Sequence, residues 1–261
     1  MSAREPLAVA VLTFNCEGVI GETLAQARRL CARPFVVDSH STDRTVEIAR
    51  AAGCEVVQRP FKNYADQRNW AVAQLEGRAV WQLHLDADEV LDDTAVGEIA
   101  RIVADPQAPH RAYMLRRIDY FMGRRLRFSG VNPWHLRLFR SGHGACENRL
   151  YDQHFVADAP AARLRGCMHD KNAVTLTDWT ARHNRWADAE VDEVLNPSDA
   201  AIRGGSGNPV AEKRAAREFY YRRPMFLRAL MLFIYRYVWK RGFLDGREGM
   251  IFYVLQTFWF R

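Results

Sequence analysis

Three acids, Asp86, Asp88 and Glu89, stand where the apolar run Ala79-Val80-Trp81-Gln82-Leu83-His84-Leu85 stops. Carboxylates at the end of a buried strand can hold a hard divalent cation against a diphosphate. Upstream, Thr13 and Asn15 stand at the end of the apolar run Leu7 to Thr13, and Asp38 follows Pro34 to Val37. A nucleotide-sugar site needs an acceptor for a base N–H, donors for ribose and phosphate, and a metal to neutralise the leaving diphosphate. Each residue also has a plainer use. Asp38 or Asp43 can cap the next helix, Thr13 can end its strand, and an Asp-x-Asp pair can sit in a solvated loop.

These residues converge only if strands alternate with helices. The spacing of Ile20, Leu24, Ala27 and Leu30 predicts a helix within Gly18 to Leu30. Thr45 to Ala52, closed by Gly53, predicts a second, and Tyr64 to Leu75 a third. Glu55 to Gln58 and Ala79 to Leu85 read as the third and fourth strands. The expected fold is α/β, a mostly parallel sheet flanked by helices whose ligand lies beyond the carboxyl ends of the strands. After Asp88 the alternation loosens into a helix over Asp92 to Val103, strands over Ala112 to Arg117 and His135 to Phe139, and a helix over Thr177 to Val194. The breaker cluster Arg203-Gly204-Gly205-Ser206-Gly207-Asn208-Pro209 is the best linker candidate. We therefore expect a domain over residues 1–200 and a helical extension over 201–261.

Leu12-Thr13-Phe14-Asn15-Cys16-Glu17, Val37-Asp38-Ser39-His40-Ser41-Thr42-Asp43-Arg44-Thr45 and Leu85-Asp86-Ala87-Asp88-Glu89 resemble, in order and spacing, the blocks of family 2 glycosyltransferases with the GT-A fold. The look-alikes are bacterial enzymes of lipopolysaccharide-core and exopolysaccharide assembly. The resemblance is strongest over about residues 6–104 and thinner over 110–183, and it returns in Gly242-Phe243-Leu244-Asp245-Gly246. It implies a GT-A sheet with Thr13 and Asn15 in the nucleotide pocket and Asp38 on the base. Asp86 would face ribose and diphosphate, Asp88 would bind Mn²⁺ or Mg²⁺, and Arg68 would help hold the nucleotide. His40 replaces the small residue usual in the second block. The resemblance places the general base in the segment Glu147 to Phe155, with Asp152 first and Glu147 second, and His154 or His169 as further metal ligands. The Gln-x-x-Arg-Trp motif of processive synthases is absent, which favours addition of one sugar. The implied activity is inverting transfer from a nucleoside-diphosphate sugar, UDP by family frequency, to a glycan or lipid-linked acceptor in cell-surface polysaccharide or lipopolysaccharide synthesis. The alternatives are a sugar-phosphate nucleotidyltransferase, which would want a Gly-rich loop after the first strand, and a non-catalytic membrane-docked scaffold.

Charge and composition place the chain further. Its 261 residues carry a net charge of +6, and 12 Lys/Arg against 4 Asp/Glu fall between Ala201 and Arg261, leaving 25 against 27 before them. A continuous basic stripe suited to nucleic acid is missing from that acidic part, so no nucleic-acid partner is expected. The 5 cysteines form no Cys-x-x-Cys pair, and residues 1–12 lack the pattern of a signal peptide, which fits a reducing cytoplasm. In Pro224 to Arg241, Arg228 and Arg236 interrupt an apolar run, and a second run ends in Phe258-Trp259-Phe260. Two such helices suit the inner face of the cell membrane, lying in its interface, or a contact with a second subunit.

Overall fold

The computed structural model describes residues 4–128, 133–149, 152–171, 175–195 and 224–260. Four strands, β1 (Glu5–Thr13), β2 (Phe35–Asp38), β3 (Glu55–Gln58) and β4 (Ala79–Asp86), run parallel in the order β3-β2-β1-β4. Helices α1 (Ile20–Leu30), α2 (Thr45–Ala51) and α3 (Tyr64–Leu75) connect them. A parallel strand covered on both faces needs no polar alternation, and Leu7 to Val11 is apolar and buried throughout. Val9, Val11 and Trp81 share one core with Ile20 and Leu24 of α1, while Ala8, Ala10 and Val37 meet Ala71 and Leu75 of α3 on the other face. Helix α2 ends at Gly53 in the left-handed region, φ 76°.

Beyond β4 the sheet continues as β4-β8-β6-β11-β5, with β5 (Glu89–Leu91), β6 (Ala112–Phe121), β8 (Trp134–Arg140) and β11 (Ala162–Asp170). A short strand β7 (Arg124–Arg125) folds back on β6. Pairings β4/β8, β6/β8 and β5/β11 are antiparallel and β6/β11 is parallel, so the sheet is all parallel in its first half and mixed beyond it. A hairpin of β9 (Gly144–Cys146) and β10 (Phe155–Ala157) stands apart from the sheet. The Asn69 side chain of α3 binds both backbone polar groups of Cys146 at 2.8 Å and holds that hairpin.

Strand β11 buries Leu164, Gly166 and Met168 at alternate positions and is docked by side chains of a distant segment. Asp92 caps helix α4 (Asp93–Ala104) with one oxygen and takes the Cys167 N–H with the other at 3.0 Å. Glu98 of the same helix accepts from the N–H groups of Arg165 and Gly166. A Cβ on Gly166 would lie 2.2 Å from Ala95 N, so only glycine lets the two backbones approach this closely.

Helix α5 (Leu176–Leu195) follows, and two C-terminal arms, Met225–Phe233 continuing to Trp239 and Gly246–Val254 continuing to Trp259, close the described chain. The turn between the arms is shorter than Gly242 to Gly246, since the second arm already starts at Gly246. Trp179 of α5, Phe121, Leu126, Phe252 and Tyr253 form one core between arms and sheet. Asp245, 2% exposed, accepts from the backbone N–H groups of Arg127 at 2.8 Å and Phe128 at 3.1 Å and from the Tyr253 hydroxyl at 2.7 Å. The motif Gly242 to Gly246 is thus a latch that fastens the arms to the end of the β6/β7 hairpin. The Gly-rich linker and the expected boundary at residue 200 lie outside the described residues.

Candidate active site

Register brings the predicted residues to one edge. Thr13 of β1 pairs with Asp38 of β2, and Leu12 with Asp86 of β4. The Thr13 hydroxyl donates to Asp38 Oδ1 at 3.0 Å. Asn15, at φ 44°, accepts the Thr42 N–H with its side chain while its own N–H goes to Ser41 Oγ. Both residues therefore lock the β1 and β2 loops together. Asp38 is 0% exposed and accepts from Thr13, from the Ser41 hydroxyl and N–H, and from Gln58 Nε2. Burial disfavours its ionised form, but these bonds outweigh it and hold the acid below the usual range. A carboxylate has about four acceptor positions, and all are filled from within the protein. The expected direct contact from Asp38 to a base requires one of them, such as the Ser41 hydroxyl, to turn away. Phe14, absent from the predicted set, follows Thr13 and is 60% exposed, presenting a flat apolar face.

The acids at the end of β4 split into two groups. Asp86 is gripped by Arg68 Nη2 at 3.0 and 3.1 Å and by Arg137 Nη2 at 3.1 Å. Burial pushes its carboxyl up, but Arg68 and Arg137 prevail and hold it well below the usual range. Glu89 takes Arg137 on one oxygen and the Asp86 N–H on the other at 3.1 Å. Arg68, expected on the nucleotide, is thus committed to Asp86, with Tyr64 and Phe155 flanking its guanidinium at 5.6 and 5.7 Å. Arg137 belongs to this cluster too, although in sequence it reads only as part of the strand His135 to Phe139. An arginine inside the otherwise apolar run Leu136 to Phe139 is the signal that could have found it, because a buried cation needs a buried anion.

Asp88 and Asp170 form the second group. Strand β11 pairs Asp170 with Glu89 on one side and Asp119 on the other, and Lys171 N–H donates to the Asp88 carbonyl. Burial and the neighbouring Asp86 raise the Asp88 carboxyl, and burial and the nearby Asp88 raise that of Asp170. Arg117 offsets part of this, at 2.8 Å from Asp119 and 3.8 Å from Asp170. Asp170 Oδ1 is buried with no hydrogen-bond partner. Among the described residues no three His, Cys, Asp or Glu side chains gather as a metal group. Mg²⁺-type cations, however, are commonly held by one or two carboxylates together with water and substrate phosphate. An orphaned carboxylate oxygen beside a second acid that resists ionisation fits such a cation. His169 does not join them, since strand alternation turns it to the opposite face, where its Nδ1 meets the Tyr120 hydroxyl at 3.1 Å.

The candidate bases lie on the β9/β10 side, where Arg68 and Asn69 of α3 reach Cys146, the neighbour of Glu147. His154 sits between them, with Nδ1 3.8 Å from Glu147 Oε2 and Nε2 3.8 Å from Asp152 Oδ1. Glu147 also accepts the His154 N–H at 3.2 Å. Its side chain is 4% exposed and that of Asp152 16%, so Asp152 is the more open acid.

Residues 8–160 match the model of glycosyl transferase family 2. The chain belongs to that family. Relatives of this family 2 member include uncharacterised glycosyltransferases of Rickettsia typhi, 31% identical over 114 residues, and of Rickettsia bellii, 33% identical over 107. The matches cover 43% and 41% of this chain, and the chain spans only 38% and 36% of those relatives. Among solved structures it is similar to Staphylococcus aureus TarS, with TM-score 0.44, 16% identity, and coverage of 75% of this chain and 40% of that one. It is also similar to glucosyl-3-phosphoglycerate synthase of Mycobacterium tuberculosis in complex with Mn²⁺, UDP and glucosyl-3-phosphoglycerate. There the TM-score is 0.47, with 14% identity and coverage of 75% and 82%. Neither overlap is close enough to carry a residue role across.

Proposed function

We propose that this family 2 protein is an inverting, metal-dependent glycosyltransferase that moves one sugar from a nucleoside diphosphate, UDP first among them, to a glycan or lipid-linked acceptor. Its setting would be cell-surface polysaccharide or lipopolysaccharide assembly at the cytoplasmic membrane face. The observation that carries the reaction is the pair Asp88 and Asp170, brought together where β11 pairs with β5 and the Lys171 N–H reaches the Asp88 carbonyl, with Asp170 Oδ1 buried and unpartnered. A divalent cation held there would neutralise the diphosphate as it leaves. Thr13, Asn15, Asp38 and Phe14 shape the nucleoside pocket, and Arg68 and Arg137 fix Asp86 toward ribose and diphosphate. The acceptor oxygen bonds to the anomeric carbon as the carbon–phosphate oxygen bond breaks. The hydroxyl proton passes to Asp152, and the electron pair stays on the diphosphate. Release of nucleoside diphosphate from a nucleotide sugar tests the reaction, and release of pyrophosphate from a sugar phosphate and nucleoside triphosphate would instead mark a nucleotidyltransferase. Asp152→Asn should lower transfer by about 10²-fold or more while donor binding by calorimetry is unchanged. Normal transfer in that variant, with loss in Glu147→Gln, would reverse the two acids.

The arms support the membrane part of the reading. Leu227, Met231, Ile234 and Val238 repeat at helical spacing and are about half exposed, as are Met250, Val254 and Phe258 on the second arm. Phe243 and Leu244 protrude at the turn, and Lys240, Arg241 and Arg247 are exposed nearby. No helix among the described residues is long and apolar enough to cross a membrane. An apolar face ringed by cations suits the interface of an anionic bilayer, whereas two copies apposed through it would bring like charges together. The double variant Met231→Glu, Val238→Glu should abolish co-sedimentation with phosphatidylglycerol vesicles. Undiminished binding would refute the surface, and a concentration-dependent dimer in the ultracentrifuge would identify a second copy as its occupant.

A further inference from the structure

Asp152, the acid favoured as base, stands where the backbone itself needs holding. Its φ of 56° lies in the left-handed region, where a residue other than glycine stays only if its surroundings keep it there. The contact that keeps it comes from two residues further on. His154 Nδ1 lies 2.8 Å from the Asp152 carbonyl oxygen. A carbonyl can only accept, so Nδ1 carries the hydrogen and donates it. Nε2 lies 3.8 Å from Asp152 Oδ1, beyond hydrogen-bond length, so the hold is exerted on the Asp152 backbone and not on its carboxylate.

His154 is in turn held by its neighbours. Its N–H goes to Glu147 Oε2 at 3.2 Å, and its carbonyl accepts the Glu147 N–H at 3.0 Å. The His135 ring lies nearly parallel to its own, 13° off, with centroids 6.0 Å apart. Glu147 follows Cys146, whose backbone N–H and carbonyl are both bound by Asn69, and Asn69 stands next to Arg68, the partner of Asp86. A continuous run of contacts thus leads from Asp86 through α3 and the β9/β10 hairpin to Asp152. His154 is its last link.

We infer that His154 is the positioning residue of the base: through Nδ1 it fixes the turn at Asp152 and so sets where that carboxylate stands relative to the donor. The inference rests on the reading of Asp152 as base given above. Proton removal from an attacking hydroxyl tolerates little error in this placement, since a displacement of about 1 Å can cost on the order of a hundredfold in rate.

The test measures UDP release from UDP-glucose and UDP-N-acetylglucosamine by the full chain, water standing in for the acceptor, beside calorimetry of Mn²⁺ and then of UDP in its presence. His154→Ala should lower the release rate by about tenfold or more while both binding constants stay as in the wild type. His154→Asn, whose amide N–H reaches as far as Nδ1, should recover most of that loss. His154→Gln, whose amide lies at the level of Nε2, should not. A full rate in His154→Ala overturns the inference, as does recovery confined to His154→Gln. Weakened Mn²⁺ binding in His154→Ala would make the imidazole a metal ligand and overturn it as well. Should His154→Ala fail to fold, the contrast between the Asn and Gln variants carries the same decision. Full release in Asp152→Asn would instead remove the base reading, and a wild-type chain that releases UDP from neither donor would remove the transferase reading, His154 falling with either.

Discussion

Asparagine in place of Asp88 should abolish Mn²⁺-dependent nucleotide binding and lower transfer by at least about a hundredfold, while making the metal-free protein more stable. The two signs have one cause. Asp88 is pressed toward its neutral form by burial and by Asp86, so an uncharged isostere relieves the free protein and deprives the cation of its ligand. The gain should be up to about 1 kcal/mol in the unfolding free energy. Calorimetry with Mn²⁺, product release and thermal unfolding of one preparation would measure all three. Tight Mn²⁺ binding in Asp88→Asn would remove this acid from the metal site. Asp170→Asn should follow the same pattern.

The largest effect on stability is expected at Arg137, not at either metal acid. Its side chain is 6% exposed and bridges Asp86 and Glu89, itself 3% exposed. Arg137→Met keeps much of the volume but leaves the Glu89 carboxylate buried without its cation, at a cost of about 3–5 kcal/mol. Urea denaturation should show this as a lower midpoint at unchanged slope. Adding Glu89→Gln should restore part of the loss, because the two residues act as one unit. A single variant within about 1 kcal/mol of wild type would show that the pair behaves like an exposed one.

The first four strands and three helices were legible because each obeys a single local rule, and the observed ends fall close to the predicted ones. Strand β1 needs only a continuous apolar run, and α3 needs its Asn63 cap, whose side chain takes the Asp66 N–H. The second half is held by contacts between distant segments. Strand β11 depends on Asp92 and Glu98, more than sixty residues away, and no local pattern of Leu164 to Asp170 discloses them. The family resemblance separates Asp86 from Asp88 by role, yet it does not disclose the partners each acid holds. That Asp86 holds arginines while Asp88 stands with Asp170 follows from β5 pairing with β11, which a linear reading does not contain.

Asp245 gives the arms a mechanical meaning. By binding the backbone of Arg127 and Phe128, it ties the turn at Phe243 and Leu244 to the end of strand β6 that carries Asp119, whose carbonyl accepts the Leu126 N–H. For a chain lying on a bilayer through those arms, the elevation of the sheet edge above the lipid is then constant. Such a molecule would act as a gauge, accepting a hydroxyl that stands at one height over the surface and passing over chemically identical ones set lower or higher.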